Sequence, residues 1–228
     1  APNMSEGLLF AAERWEAAGR AVPLESCVVL TGDDLDPVVN YPRGVDVMDG
    51  GTLSITGHPD ITSASAVSYS ATTDNYNSIG TGLTRAGYPA ASTLQLNGAG
   101  GAEVGPIEAC STAPHLFEIL SPTTDAGGQV DNVAPSQALD VTWTGGEDFD
   151  DLVIIIESFF CPNDYRTMVL CHVSNDGSFE IPVDVMSQIT WANFAMLYLT
   201  RSWKVGVDAT GLPDDAAWSI RSMATVPI

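Results

Sequence analysis

Apolar residues in this chain recur mainly at every second position, in short runs broken by glycine, proline and acidic turns. That period puts successive side chains on opposite faces of an extended strand, so it restricts the fold to sheets with buried faces. In the first half, Cys27-Val-Val-Leu30 is a short apolar run. Val45-Asp-Val47 and Thr52-Leu-Ser-Ile-Thr56 alternate on either side of Asp49-Gly50-Gly51, a hairpin signal. Ala66-Val-Ser-Tyr-Ser70 and Thr93-Leu-Gln-Leu-Asn97 alternate as well, and residues 105–110 read as the closing strand. Residues 72–89 are polar and read as loop.

The second half repeats the pattern. Leu116-Phe-Glu-Ile-Leu120 and Leu139-Asp-Val-Thr-Trp143 alternate. Leu152-Val-Ile-Ile-Ile156 does not, as expected of a central strand buried on both faces. Thr167-Met-Val-Leu-Cys171 follows, and Asn175-Asp176-Gly177 turns the chain into Phe179-Glu-Ile181. Pro182 opens a helical turn over 183–189, and residues 194–199 and 218–226 are the last strands. Helical spacing is confined to residues 5–18. There Ser5 can cap the first turn, Leu8, Leu9, Ala12, Trp15 and Ala18 form the apolar stripe, and Gly19 ends it. Such a helix packs on the first sheet or is received by a partner protein.

Short strands at regular spacing, with turn residues between, match an immunoglobulin-like sandwich. The expected fold is therefore all-β: two tandem Ig-like β-sandwich domains with a short N-terminal helix. The N-terminal arm would cover residues 1–25, the first sandwich 26–112 and the second 113–228, with the boundary near Ser111-Thr-Ala-Pro114. The alternative is one extended sandwich, since all-β folds can run to about 200 residues as a single domain. No close internal repeat links the halves.

Several segments, in this order, resemble exported β-sandwich proteins common in myxobacteria and related bacteria. Asp49-Gly-Gly-Thr-Leu-Ser-Ile-Thr-Gly57 is similar to their DAG-t-v-ITG hairpin, and Pro114-His-Leu-Phe-Glu-Ile-Leu-Ser-Pro122 to their aP-l-sP linker. Leu139-Asp-Val-Thr-Trp-Thr-Gly-Gly146 resembles their dL-v-W-gg strand. Val169-Leu-Cys171 followed by Asp176-Gly-Ser-Phe-Glu-Ile-Pro182 resembles their v-C and D-G-s-F-t-iPa segments. The resemblance covers most of residues 45–190. It implies secreted or lipid-anchored sandwich domains at the cell surface and carries over no catalytic residue.

Charge narrows the partners. Eight basic residues face 29 acidic ones, a net charge of −21, and Lys204 is the only lysine. The acidity is spread: the net is −9 up to Pro114 and −12 beyond it. A nucleic-acid partner needs a cationic surface, so none is expected. No apolar run approaches the roughly 20 residues of a spanning helix, so no membrane span is expected, and a signal peptide, if one existed, is expected to have been removed. Scarce lysine, four cysteines and many small polar residues point to an exported protein, periplasmic, surface-bound or extracellular.

Cys27, Cys110, Cys161 and Cys171 form no CxxC pair and allow three disulfide pairings. Proximity favours Cys161–Cys171, leaving Cys27–Cys110; buried free thiols are the alternative. His58, His115 and His172 lie far apart in metal-unfriendly spacing and read as structural or surface residues. No GxSxG elbow is present. Cys171 and His172 are strand neighbours that point to opposite faces, so they form no nucleophile–base pair.

Two acidic clusters stand out: Asp33, Asp34 and Asp36, and Glu147 with Asp148, Asp150 and Asp151. Calcium takes six to eight oxygen ligands, and sandwich loops can supply them, so both clusters are candidate calcium sites beside the plainer reading of solvated loops. Trp203 beside Arg201 and Lys204 is a candidate for docking a glycan or acidic partner. The functional expectation is a non-enzymatic exported structural or adhesive protein, acting through protein partners or self-assembly. The alternatives are a calcium-stabilised carbohydrate-binding module and a hydrolase with scattered carboxylates.

Overall fold

The computed structural model describes residues 15–35, 51–56, 67–70, 75–78, 90–123, 133–159, 165–190, 194–214 and 216–228. Strand dominates the described residues and helix is a small share of them, so the all-β reading holds at that level. In chain order the strands are β1 (Ser26–Thr31), β2 (Thr52–Thr56), β3 (Val67–Ser70), β4 (Asn75–Ser78), β5 (Thr93–Gly98) and β6 (Ile107–Thr112). They continue with β7 (Glu118–Ser121), β8 (Leu139–Thr144), β9 (Asp151–Phe159), β10 (Tyr165–Ser174), β11 (Ser178–Ile181), β12 (Phe194–Gly206) and β13 (Ala217–Pro227). Described helix is confined to residues 15–20, a 3₁₀ turn at Gly32–Leu35 and one turn at Val183–Met186. Among the described residues, no helix is long and apolar enough to cross a membrane.

Among the described residues the strands form three sheets, ordered β1-β10-β9-β12-β13, β11-β8-β7 and β4-β3-β2-β5-β6. The chain falls into two compact units that are not consecutive in sequence. One comprises Ala1–Tyr41, His115–Ser202 and Arg221–Ile228; the other comprises Pro42–Pro114 and Trp203–Ile220. This differs from the expected division at residue 112. The apolar run of β1 pairs antiparallel with β10, so residues 26–31 belong with the second half of the chain. Residues 203–220 group instead with the first half. Alternation reveals a strand but not its partner, which explains the error.

In the first unit, β9 lies between β10 and β12 and is buried on both faces. Leu152, Ile154 and Ile156 on one face and Val153 and Ile155 on the other are at most 1% exposed. Full burial of one such side chain contributes ~1.5–3 kcal/mol, so this strand is a major source of stability. Val153 and Ile155 join Met168, Leu170, Leu35 and Tyr198 in one cluster, capped by Trp15 from the helix. The rings of Trp15 and Tyr198 lie 5.8 Å apart. Gly19 lies inside this helix and does not end it. A Cβ there would come within 2.3 Å of Val153, so glycine is what lets the helix approach the sheet.

Residues 15–20 are therefore packed against a sheet and are not part of a separate arm. Trp15 is 1% and Glu16 3% exposed, because the helical stripe supplies part of the core. Residues 5–14 of the expected helix, and the expected strand at 45–47, lie outside the described residues. The second unit contains β2, β3, β5 and β6 as read from sequence. It also contains β4, in a segment read as loop because Asn75-Tyr-Asn-Ser78 carries no aliphatic residue. β5 and β6 run antiparallel with Leu96 opposite Ala109, and Trp203 donates from Nε1 to Ser111 Oγ at 3.0 Å.

The structure joins Cys27 to Cys171, which face each other across β1 and β10, in place of the pairing that proximity favoured. Register decides this: strand pairing brings together residues separated by 144 positions. Cys110 is an exposed free thiol on β6, and Cys161 lies outside the described residues. Replacing Cys27 and Cys171 together by alanine should lower the unfolding free energy by ~2–5 kcal/mol, the usual cost of losing a native disulfide. Urea unfolding with and without reductant checks this: reductant should shift the wild-type midpoint and leave that of the double variant unchanged.

Candidate functional site

The densest polar constellation in the first unit sits where the helix of residues 15–20 meets the sheet. Glu16 lies on the inward side of that helix, four residues after Ala12 in the apolar stripe. Its Oε1 accepts from the Ser202 backbone N at 2.8 Å, from Ser202 Oγ at 3.0 Å and from Arg201 Nη1 at 3.5 Å. Arg201 also donates from Nε to Asp151 Oδ1 at 2.9 Å and from Nη1 to the Ser202 carbonyl at 2.6 Å. Its guanidinium carbon lies 5.6 Å from the centre of the Phe149 ring. Arg201 therefore connects the helix to β9 from its position on β12.

Asp151 begins β9 and carries a second set of contacts. Its Oδ2 lies 2.6 Å from His172 Nε2 and 3.8 Å from Arg20 Nε. The other ring nitrogen, Nδ1, lies 2.9 Å from the Val22 carbonyl. His172 is thus held from both sides by oxygen acceptors. Burial alone would raise the Asp151 pKa, but the His172 hydrogen bond and the Arg201 and Arg20 charges outweigh it and hold the carboxyl below its ordinary value. Glu25, with φ of 59°, donates its backbone N–H to the His172 carbonyl at 2.7 Å. Its side-chain Oε1 accepts from the Ser174 backbone N at 2.7 Å. Those contacts with Ser174 lower the Glu25 pKa, assisted by the nearby His172.

In this arrangement Asp151, one of the candidate calcium ligands, is engaged by His172, Arg201 and Arg20. A carboxylate between two guanidinium groups and an imidazole is already compensated, and its neighbours repel a second cation. Asp148 is engaged elsewhere: Oδ2 accepts from the His115 backbone N at 2.6 Å and lies 2.9 Å from His115 Nδ1. Glu147 is a more distant neighbour of the same ring, at 3.8 Å. Asp150 is exposed, and its carbonyl accepts from Asn175 N at 2.9 Å. In the other cluster Asp34 is exposed on the 3₁₀ turn. Asp36 and the Asp33 side chain lie outside the described residues. Among the described residues, no group of three or more His, Cys, Asp and Glu is arranged to hold a metal ion.

The acidic turn after β8 is a built structure. Asn175 donates from Nδ2 to the carbonyls of Gly146 at 2.8 Å and Phe149 at 3.0 Å, and its Oδ1 accepts from Trp143 Nε1 at 2.7 Å. Gly146 has φ of +69°, and a Cβ there would meet the Phe117 ring at 2.0 Å. Trp143 is thus a core residue, as its place on an alternating strand implies. Lys204 is exposed and Trp203 half-buried, whereas Arg201 is committed to Glu16 and Asp151. His58 and Trp191 lie outside the residues whose side chains are placed.

Glu157, on the helix-covered face of β9, is a residue that sequence reasoning missed. It is 2% exposed, stands opposite Met168 on β10 and Met196 on β12, and accepts from the Tyr198 hydroxyl at Oε1. Among the described residues its Oε2 is buried with no hydrogen-bond partner. Burial pushes its pKa up to about 7 from an ordinary 4.5, against the lowering effect of the Tyr198 bond. The one signal available is its position directly after the apolar run 152–156, in phase with Val153 and Ile155.

No protein-family model, no curated protein and no solved structure matches this chain. The geometry therefore bears on function alone. It shows carboxylates and cations bound to one another across the junction of helix and sheet.

Glu157 gives a signed prediction. A folded-state pKa above the unfolded one means the folded protein holds a proton that the unfolded chain releases. Stability is then full below pH 4.5, falls as pH rises to about 7, and stays reduced above it. The loss is ~3 kcal/mol, because each tenfold difference in proton affinity between the two states is worth about 1.4 kcal/mol. Glu157→Gln keeps an acceptor for Tyr198 and should abolish that decline. Urea unfolding at a series of pH values, taken as wild type minus variant, checks it.

Proposed function

We propose that the chain is a non-enzymatic exported structural or adhesive protein, one subunit of a surface assembly. The observation carrying this reading is the disulfide between Cys27 and Cys171, which fastens the outer strand β1 to β10. Such bonds persist in oxidising compartments and stiffen domains that meet mechanical or proteolytic stress. Supporting it, His172, Asp151, Arg201 and Glu16 direct their bonding capacity at one another and at the backbone. That is the pattern of a scaffold, since a general base needs an unoccupied nitrogen facing a substrate.

Within this reading, the sheets β1-β10-β9-β12-β13 and β11-β8-β7 form an Ig-like sandwich. Two observations support that layering. Val141 and Trp143 on alternate positions of β8 are buried, and Trp143 is tied to Asn175 just beyond β10. β1 is an outer strand with no charged residue in Ser26–Thr31, and uncharged edges favour strand addition by a neighbour. In a chain of net charge −21, such a strip is where two copies can approach without direct repulsion.

Light scattering coupled to size exclusion on native-source material should give a mass above one chain. A new charge on β1, Val29→Asp, should return it to a monomer. A monomer at every concentration would overturn the assembly reading. The calcium-stabilised carbohydrate-binding alternative separates on a second measurement. The scaffold reading expects the melting temperature to stay within experimental error on adding millimolar calcium or chelator, whereas a calcium module requires it to rise and fall.

A further inference from the structure

We propose that Glu157, Met168 and Met196 form a buried site for one soft, singly charged metal ion of the copper(I) class. The pairing of three strands brings them together. Met168 on β10 and Met196 on β12 stand directly opposite Glu157 on β9, one on each side. Residues opposed across antiparallel strands share a face, with Cβ atoms about 4.5–5.5 Å apart. A methionine side chain is unbranched, with three rotatable bonds, so both sulfurs can reach the carboxyl group between them. That carboxyl group is what asks for a ligand. Glu157 is 2% exposed, and among the described residues its Oε2 has no hydrogen-bond partner. The Tyr198 hydroxyl donates to Oε1, which orients the carboxyl group and leaves Oε2 as the ligating atom.

Charge and softness select the ion. Asp151 is met by two guanidinium groups and an imidazole, whereas among the described residues no cationic side chain meets Glu157. A carboxylate and one singly charged ion are neutral as a pair, which an apolar pocket tolerates. A divalent ion would leave a positive charge buried. Hard ions also call for a shell of oxygen ligands, and this pocket offers one unbonded carboxylate oxygen. Thioethers are soft donors that favour copper(I). Ile155 and Leu170, buried and paired with each other on the same face, keep water from the site.

Binding is a simple exchange. When Glu157 holds its proton, the O–H bond breaks, the metal–oxygen bond forms and the proton leaves to solvent. No electron is transferred, and the charge of the pocket is the same before and after. Met168 is fully buried and Met196 half-buried, so the ion enters from the Met196 side. The site shares no residue with the acidic turns, because its donors come from β9, β10 and β12. It goes beyond the scaffold reading and does not depend on it.

Silver(I) is the probe. It has the same charge and softness and needs no reductant, so the bond between Cys27 and Cys171 stays closed. The full chain is first alkylated at its free thiols, so that Cys110 does not compete, and then titrated by calorimetry in chloride-free buffer. One ion should bind per chain. In methyl NMR of the same samples the Met168 and Met196 signals should move, while those of Met4, Met48, Met186 and Met223 stay in place. Glu157→Gln should weaken binding ~100-fold or more, because it leaves a buried charge uncompensated. Met168→Leu together with Met196→Leu keeps the volume of the core and should abolish binding. Tyr198→Phe removes a positioning residue and should cost ~10-fold. Three results would overturn the site: no binding to the alkylated wild type, movement of the other methionine signals in place of these two, or undiminished binding by the double leucine variant. Zinc(II) held as tightly by the same residues would also refute it. The NMR experiment uses the wild type alone, so it decides the matter even where a variant fails to fold.

Discussion

Arg201 makes the interaction on which the first unit depends. It carries the charge that makes two buried or half-buried carboxylates tolerable, Glu16 on the helix and Asp151 at the start of β9. Desolvating a carboxylate costs several kcal/mol unless a cation and hydrogen bonds meet it. Removing Arg201 would leave both acids facing that penalty without their shared cation. The apolar contact of Trp15 with the core and the ionic contact of Glu16 with β12 come from adjacent residues of one short helix. Neither is independent of the other, because the helix must be docked for both to exist.

The two faces of β9 show how differently a sheet can treat one strand. Leu152, Ile154 and Ile156 form one face, apolar and fully buried. The other face begins with Asp151 and runs through Val153 and Ile155 to Glu157. That face therefore carries two carboxyl groups, with opposite outcomes. Asp151 is met by two guanidinium groups and an imidazole and stays ionised. Glu157 is met by a tyrosine hydroxyl and stands opposite two methionines, and it holds its proton to near-neutral pH. Identical acid chemistry is divided by neighbours alone.

Much of the strand content is legible because alternation is local. β8, β9, β10, β11 and the last two strands fall close to where their patterns place them, and the unalternating run 152–156 is the doubly buried strand it implies. Pairing is not legible. Nothing in residues 26–31 says that β10 is their neighbour, so both the disulfide and the division into units are misread from sequence. β4 escapes notice because its alternation is between polar residues. Asp151 stands out in the sequence but invites a metal, because the guanidinium that compensates it comes from residue 201, fifty positions away. Glu16 and Glu157 need a different question, which acids fall in phase with an apolar stripe. Both can be found that way.

The pairing of β1 with β10 also governs the order in which the molecule can be made. A chain leaves the ribosome from its amino terminus, so residues 15–31 emerge with their sheet still unsynthesised. The helix, the apolar β1 strand and Cys27 must wait through 144 further positions before Cys171 is present. Contacts this distant in sequence close slowly, since the intervening chain must lose its freedom first. During that interval the chain exposes an uncharged strand and an unpaired thiol, with Cys110 and Cys161 arriving earlier than Cys171. The finished fold therefore calls for oxidation that is late or reversible, and a catalyst able to reshuffle a premature bond would speed its assembly.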